Sequence, residues 1–202
     1  MPPRQPQIVM GLKAYLAPDH DAATVGYRMR ATGCGFEDRG GAWTFPAISS
    51  LPYMNYFASE PGALNPVYTP ALVHLTGITL ALRLLRIHFV FGHPCDVTHI
   101  YNDNINAVEL AMAPPDRQSA ERWPHLTQMA RMANSEMAAL RACQNELRLS
   151  VPLRGSASDI ICSANEEAWS YRREVESFPQ DIQLVLTSCA VIAGGLDYQL
   201  RK

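Results

Sequence analysis

The sequence predicts an α/β domain that opens with an antiparallel β-meander. Two observations support this prediction. The first 45 residues hold three strand-like runs joined by short turns. From residue 70 onward, apolar runs with helical spacing alternate with short strand-like runs. Such alternation is typical of helices that pack on a sheet.

The three N-terminal runs are each bounded by turn residues. Residues 8–16 form a strand-like run that ends at a cluster of breakers. Residues 24–32 alternate between polar and apolar, which places Arg28 and Arg30 on the face opposite the apolar side chains. A third strand is predicted over residues 42–45, after a glycine turn.

The first predicted helix begins at Pro70, with Thr69 as its N-cap. Its apolar residues recur at steps of three and four and share one face: Leu72, Leu75, Ile78, Leu82 and Leu85. We therefore expect a helix that packs on the core. Arg83 and Arg86 interrupt the apolar run, so it falls short of a membrane span.

The remaining elements alternate along the chain. They are a strand over 97–101, a short helix over 105–112, a helical region over 119–146, a strand over 147–151 and a helix over 163–177. Residues 46–69 are interpreted as an ordered loop, and a last helix is predicted over 182–192. We expect one domain over residues 1–177 and a C-terminal helical extension over 178–202 that packs on it.

Composition excludes several classes of protein. The 202 residues are sized for one globular domain, and 17 basic against 19 acidic side chains give a net charge of −2. No basic excess attracts nucleic acid at long range, so any nucleic acid would have to meet a local patch. The five cysteines are far apart and lack the close pairs of a zinc site. We expect an intracellular, soluble protein with free thiols.

Four short segments, in chain order, resemble the ribonuclease H family, including type 1 enzymes and the ribonuclease H domains of reverse transcriptases. Residues 73–82 resemble the family's first helix, and residues 99–103 resemble its fourth strand, which ends in tyrosine, a polar residue and the catalytic aspartate. Residues 148–154 resemble its last strand, and residues 164–169 the opening of its final helix. The resemblance implies a mixed five-stranded sheet, with three antiparallel strands followed by parallel additions, flanked by helices.

The resemblance also implies a chemistry. Family enzymes cleave the RNA strand of an RNA/DNA hybrid with two magnesium ions held by carboxylates. Of the four acidic positions, Asp103 matches the fourth-strand aspartate, whereas Met10, His74 and Trp169 stand where the other three acids are expected. Arg154 matches the histidine of the preceding loop. Because magnesium prefers several hard oxygen ligands, we expect no metal cofactor unless other acids substitute.

Each of these positions also has a structural interpretation. Asp103, or its neighbours Asn102 and Asn104, follows a strand and precedes a helix, so it could serve as a helix cap. His74 could be a polar residue at the edge of a buried face. Trp169 could fill the space of the missing carboxylates and make the site apolar.

Basic residues supply candidate phosphate contacts if they converge on one patch, although solvated surface is the default interpretation for each. The candidates are Arg28, Arg30, Arg39, Arg83, Arg86, Arg154, Arg172 and Arg173.

Three functions remain open from the sequence. The first is a degenerate ribonuclease H-like domain, of retroelement origin, that binds RNA, an RNA/DNA hybrid or a protein without cleaving. The second is a divergent metal-dependent ribonuclease, which needs at least two further carboxylates beside Asp103 and would use magnesium. The third is a scaffold or homodimerisation domain, which the near-neutral charge favours.

Overall fold

The computed structural model describes residues 6–16, 23–33, 37–45, 69–90, 95–113, 124–142, 146–153 and 155–177. These residues form β1 (Gln7–Leu16), β2 (Ala23–Thr32), β3 (Arg39–Phe45), α1 (Pro70–Val90), β4 (Val97–Asn102), α2 (Ile105–Met112), α3 (Pro124–Arg141), β5 (Glu146–Ser150) and α4 (Ser156–Ser177). The predicted loop over 46–69, apart from Thr69, and the predicted extension over 178–202 lie outside the described residues.

The strands form one mixed sheet in the order β3-β2-β1-β4-β5. β1 pairs antiparallel with β2, and β2 with β3, whereas β1 with β4 and β4 with β5 are parallel. The predicted fold class, a meander followed by parallel additions, is confirmed. Because β1, β4 and β5 run in the same direction, their last residues lie at one end of the sheet. We call this end the carboxyl edge.

Helices cover both faces of the sheet. A β-carbon on Gly77 of α1 would meet the side chain of Val25 in β2. One on the next strand residue, Gly26, would lie 2.0 Å from the carbonyl oxygen of Ala164 in α4. Since neighbouring strand residues point to opposite faces, α1 and α4 lie on opposite sides. Gly26 is the residue that lets α4 approach the backbone of β2 so closely.

The larger core lies between the sheet and the layer of α1, α2 and α3. It includes the predicted apolar face of α1, of which four members are fully buried: Leu75, Ile78, Leu82 and Leu85. The window Pro70–Ile87 is long and apolar enough to cross a membrane, but 50% of it is buried inside this fold. Such burial is typical of the core helix of a globular domain.

Two helix starts illustrate what local sequence encodes. The Oγ1 atom of Thr69 accepts a hydrogen bond from the Leu72 amide at 3.3 Å, as expected of an N-cap. The predicted start of α4 at residue 163 is wrong, because the helix begins at Ser156. Its first turns are rich in small residues, which are common in loops, yet Ile160 and Ala164 are buried at helical spacing.

Two cysteines lie within the described residues. Cys95 is buried and its thiol donates to the carbonyl oxygen of Val97 at 3.0 Å, whereas Cys162 is exposed. The other three cysteines lie outside the described part of the chain.

Candidate functional site at the carboxyl edge

An ion pair lies where β1 and β4 end. β4 finishes at Asn102, and Asp103 follows it at the carboxyl edge. Leu12 of β1 is in register with Asn102, so the next residue, Lys13, lies beside Asp103. The Lys13 ammonium donates to the Asp103 carboxylate, with the two side chains 32% and 30% exposed. The candidate catalytic aspartate therefore has a cationic partner from its own chain.

The position of Lys13 corrects the expectation about Met10. In the sheet, Met10 is in register with Ile100 and is completely buried in the core. It lies three residues before Lys13, which corresponds to about 10 Å along the strand. The β1 side chain that meets Asp103 is thus a lysine. The sequence offers one signal for this position, because Lys13 is the single charged residue in the strand-like run over residues 8–16.

His74 contributes a buried imidazole from α1. The Asn104 amide donates to Oδ1 of Asn102 at 2.9 Å, which fixes that atom as an acceptor. His74 Nδ1 lies 3.0 Å from the same oxygen, so Nδ1 must carry the hydrogen. The His74 ring is consequently held in one tautomer by the end of β4.

This histidine is neutral in the folded protein at neutral pH. Burial lowers the pKa of His74, and the nearby Lys13 charge lowers it further, against opposing effects of Asp103 and Asn102. Nδ1 of His74 also lies 3.7 Å from Oδ1 of Asp103. Because the ring is uncharged and its Nδ1 hydrogen points to Asn102, this approach is not an ion pair.

Helix capping is carried out by Asn104. Its side chain accepts a hydrogen bond from the Ala107 amide at 3.0 Å at the start of α2. Of the three polar residues after β4, Asn104 therefore caps the helix. The Asp103 carboxylate is left for Lys13.

Trp169 lies near the end of β1 and is a surface residue. Its ring centroid lies 5.1 Å from that of Tyr15, with the rings tilted by 54°. Tyr15 is two residues beyond Lys13, on the same face of β1. Trp169 is 43% exposed. It adds an aromatic surface to the carboxyl edge.

Other apolar side chains are exposed at the same edge. The described large hydrophobic residues with high exposure are Ile105, Met112, Leu153 and Trp169. Ile105 is the first residue of α2, three residues after the end of β4, and Leu153, 83% exposed, lies three residues after the end of β5. Three of the four therefore lie at the carboxyl edge. Met112 lies at the far end of α2.

Two candidate phosphate contacts instead join helices. Arg83 Nε donates to Oε1 of Glu136 at 2.9 Å, and Arg86 Nη1 lies 3.2 Å from Oε2. Glu136 belongs to α3 and is 8% exposed. These two arginines thus connect α1 to α3 on one side of the sheet.

The remaining described arginines lie elsewhere. Arg28 Nη1 donates to Glu167 of α4 at 3.0 Å, on the opposite side of the sheet. Arg30 and Arg39 are exposed. Phosphate binding would require the candidate arginines to converge on one patch. The structure does not bring Arg28 together with Arg83 and Arg86. The side chains of Arg154, Arg172 and Arg173 lie outside the described part.

Comparison with known proteins identifies the architecture. No family model matches the sequence, and no curated protein matches it. Among solved structures, ribonuclease H1 of the halophilic archaeon Halobacterium salinarum matches with a TM-score of 0.50 and 13% identity, over 80% of this chain and 96% of that one. This chain has a ribonuclease H-like fold.

A second similar structure is the N-terminal ribonuclease H domain of a Mycobacterium tuberculosis protein, solved as a fusion with maltose-binding protein. It has a TM-score of 0.49 and 11% identity, over 85% of this chain and 99% of that domain.

The resemblance to ribonuclease H implies magnesium, and the side chains around Asp103 do not suit it. Magnesium is bound mainly by hard oxygen ligands, usually carboxylates and waters. Asp103 is surrounded by an ammonium group, a neutral imidazole and an amide. No group of three histidine, cysteine, aspartate or glutamate side chains able to hold a metal occurs within the described ranges.

Four other acids that are near the matched segments in the sequence do not change this result. Glu109, Asp159 and Glu166 are exposed on their helices. Glu167 is engaged by Arg28. The described part of this ribonuclease H-like domain therefore offers a single carboxylate at the site.

Proposed function

We propose that this ribonuclease H-like domain binds a protein partner at its carboxyl edge and does not hydrolyse nucleic acid. The main observation that supports a loss of hydrolysis is the ion pair between Lys13 and Asp103. It supports a site in which the carboxylate is already neutralised by the chain itself. The exposed apolar residues around the pair support a role in binding.

Electrostatics explains why the lysine matters. Two unit charges 4 Å apart interact by about 4 kcal/mol at an effective dielectric constant near 20. A divalent ion at that distance from the Lys13 ammonium would be repelled by roughly 8 kcal/mol. At the same distance the single Asp103 carboxylate would attract the ion by a similar amount, so the ion pair as a whole offers a divalent ion no net electrostatic gain. Two-metal hydrolysis is therefore disfavoured at this edge.

The chemistry of the edge favours a protein partner over a nucleic acid. The cores of protein interfaces are enriched in tryptophan and depleted of charged residues. Ile105, Leu153 and Trp169 provide such a surface. Three of the candidate arginines, Arg28, Arg83 and Arg86, form ion pairs with glutamates of the same chain, and the net charge is −2, which does not favour long-range attraction of phosphate.

A cleavage assay tests the loss of hydrolysis. Purified full chain is incubated with a labelled RNA/DNA hybrid and with magnesium or manganese, beside the Asp103→Asn variant. We expect both proteins to leave the hybrid intact at the background rate. Turnover by the natural sequence that Asp103→Asn abolishes would contradict the proposal.

A matched set of variants tests the binding surface. The triple variant Ile105→Ser, Leu153→Ser, Trp169→Ser removes the apolar edge, and Met112→Ser removes an exposed apolar residue away from it. Proteins that crosslink to the natural chain in cell extract should be lost from the triple variant and retained by Met112→Ser. Equal loss, or no loss, would speak against this surface.

Nucleic acid is the alternative occupant, favoured by the exposed Trp169 on Tyr15, because bases stack on such aromatic rings. Fluorescence anisotropy with single-stranded RNA and with a hybrid, measured across salt concentrations, decides between the two. We expect weak binding that the triple variant does not alter. Tight, salt-sensitive binding lost in that variant would assign the edge to nucleic acid.

A further inference from the structure

We propose that the Lys13 ammonium is the built-in cation of the carboxyl edge, and that it joins the ends of β1 and β4 without a divalent metal. The two residues belong to adjacent parallel strands and lie at the same level in the register. Neighbouring strands are about 4.8 Å apart, a distance that a lysine side chain can span. Their ion pair therefore links the two strands where their backbone pairing ends.

Asp103 needs a positive partner because of its surroundings. Its Oδ1 atom is buried and has no hydrogen-bond partner among the described residues, and its other oxygen accepts from Lys13. A carboxylate that is partly removed from water is costly unless a cation or donors compensate it. Lys13 is the described cation that contacts it.

His74 cannot supply that charge. Its Nδ1 hydrogen is directed to Asn102, whose amide oxygen is also bound by the Asn104 backbone. Protonating the ring would place a second positive charge near the Lys13 ammonium, in a buried position. The network of Asn102 and His74 thus keeps the imidazole neutral and leaves Lys13 to balance Asp103.

Two consequences distinguish a built-in cation from an ordinary surface pair. Stability of the natural chain is independent of divalent metal. Replacing the lysine by an acid instead places two carboxylates side by side on adjacent strands, which repel each other until a divalent ion binds between them. The single change Lys13→Asp therefore makes stability metal-dependent.

Thermal unfolding of the full chain, in EDTA and in millimolar MnCl₂ or MgCl₂, tests the inference. The variants are Lys13→Asp, the neutral Lys13→Met and the charge-retaining Lys13→Arg. We expect no metal effect on the natural chain and a midpoint about 2–4 °C lower for Lys13→Met, in either buffer. Lys13→Arg should stay close to the natural chain, and Lys13→Asp should melt lower in EDTA and recover with manganese.

Two results would overturn the inference. A manganese-induced rise in the midpoint of the natural chain would overturn the inference, as would a Lys13→Met midpoint equal to the natural one. If Lys13→Asp fails to fold even with manganese, the Lys13→Met and natural-chain measurements still decide the result.

The inference rests on the proposed function only in taking the edge to be free of metal, and its failure is distinguishable from that of the proposed function. A manganese-induced shift without hybrid cleavage would remove this inference alone. Hybrid cleavage without any metal effect on stability would contradict the proposed loss of hydrolysis. It would leave intact the inference that Lys13 is the built-in cation.

Discussion

Two of the ion-pair groups in the described part of this domain, one between helices and one at the carboxyl edge, differ in burial and in charge balance. Glu136 is 8% exposed and is shared by Arg83 and Arg86, so two cations meet one anion between α1 and α3. Lys13 and Asp103 are about one-third exposed and balanced one to one. The helix pair is next to the packed core, whereas the edge pair lies beside neutral His74 and exposed apolar residues.

This difference distinguishes buried charges that stabilise the fold from partly exposed charges that belong to a surface. Removing the partner of a buried charge leaves an ion without water or counter-charge, which is expensive. Removing the partner of a half-exposed charge allows water to take over much of its role. Sensitivity to mutation should therefore follow burial, and the four predictions below test that order.

The largest effect is expected at Glu136. Glu136→Gln keeps the shape but leaves two guanidinium groups without their anion, which should reduce the free energy of unfolding by about 2–3 kcal/mol. Urea denaturation measures the loss. The matched control is Glu146→Gln, whose partner Arg148 is 61% exposed, and there we expect about 0–0.5 kcal/mol. Equal losses would mean that burial does not distinguish the pairs.

An intermediate effect is expected at Asp103. Asp103→Asn removes the negative charge that Lys13 binds and should cost about 1 kcal/mol of unfolding free energy. In urea denaturation, Lys13→Met and the double variant should show similar losses, because all three remove the same pair. Additive losses would show that the two residues act independently.

The pH dependence of stability should report on His74. The pKa of this histidine is lower in the folded protein than in the unfolded chain, chiefly through burial. The unfolded chain therefore binds more protons below about pH 6.5, and folding stability falls as the pH drops from there toward the folded pKa. Unfolding free energies measured from pH 7.5 to 5 should decline, with a shallower decline in His74→Gln.

His99 provides the comparison for that experiment. Its pKa is also lowered, first by partial burial and then by Arg148, so it contributes with the same sign. Because His99 is less buried than His74, His99→Gln should change the slope less. A larger effect of His99→Gln would show that the edge network does not control the titration.

The smallest effect is expected at Arg28. Its pair with Glu167 is 35% and 24% exposed, similar to the edge pair, but Glu167 has no buried oxygen without a hydrogen bond, as Asp103 has, so Arg28→Gln should cost about 0–0.5 kcal/mol in urea denaturation. A loss above about 1 kcal/mol would indicate that this pair helps to hold α4 on the sheet, contrary to its exposure.

Sequence reasoning identified the architecture because the elements are encoded by local patterns. The apolar residues of α1 recur at helical spacing, and the polar side chains of β2 alternate with apolar ones. Such patterns need no knowledge of the rest of the chain. α4 was shortened in the prediction since its first turns, from Ser156, are rich in small residues that also suit loops.

The site was predicted only in part, because it depends on register. Asp103 was found because residues 99–103 resemble the family's fourth strand, but its partner Lys13 lies 90 residues earlier in the chain. A parallel pair has no hairpin to fix its alignment, so the register is set by packing of the whole sheet. Met10, the position matched by resemblance, lies three residues before Lys13, and the partnership of Glu136 with Arg83 and Arg86 was likewise invisible to local patterns.

The close packing of α4 on Gly26 has a consequence for how the edge would meet the proposed partner. A helix held at backbone contact distance has little freedom to shift, so the Trp169 that it carries is presented in a fixed position beside Tyr15. A partner that binds such a preformed surface loses less conformational entropy in ordering it. Gly26 pairs with Lys13 in the sheet and lies against Ala168, the neighbour of Trp169, so for the proposed partner it would contribute to affinity through preorganisation.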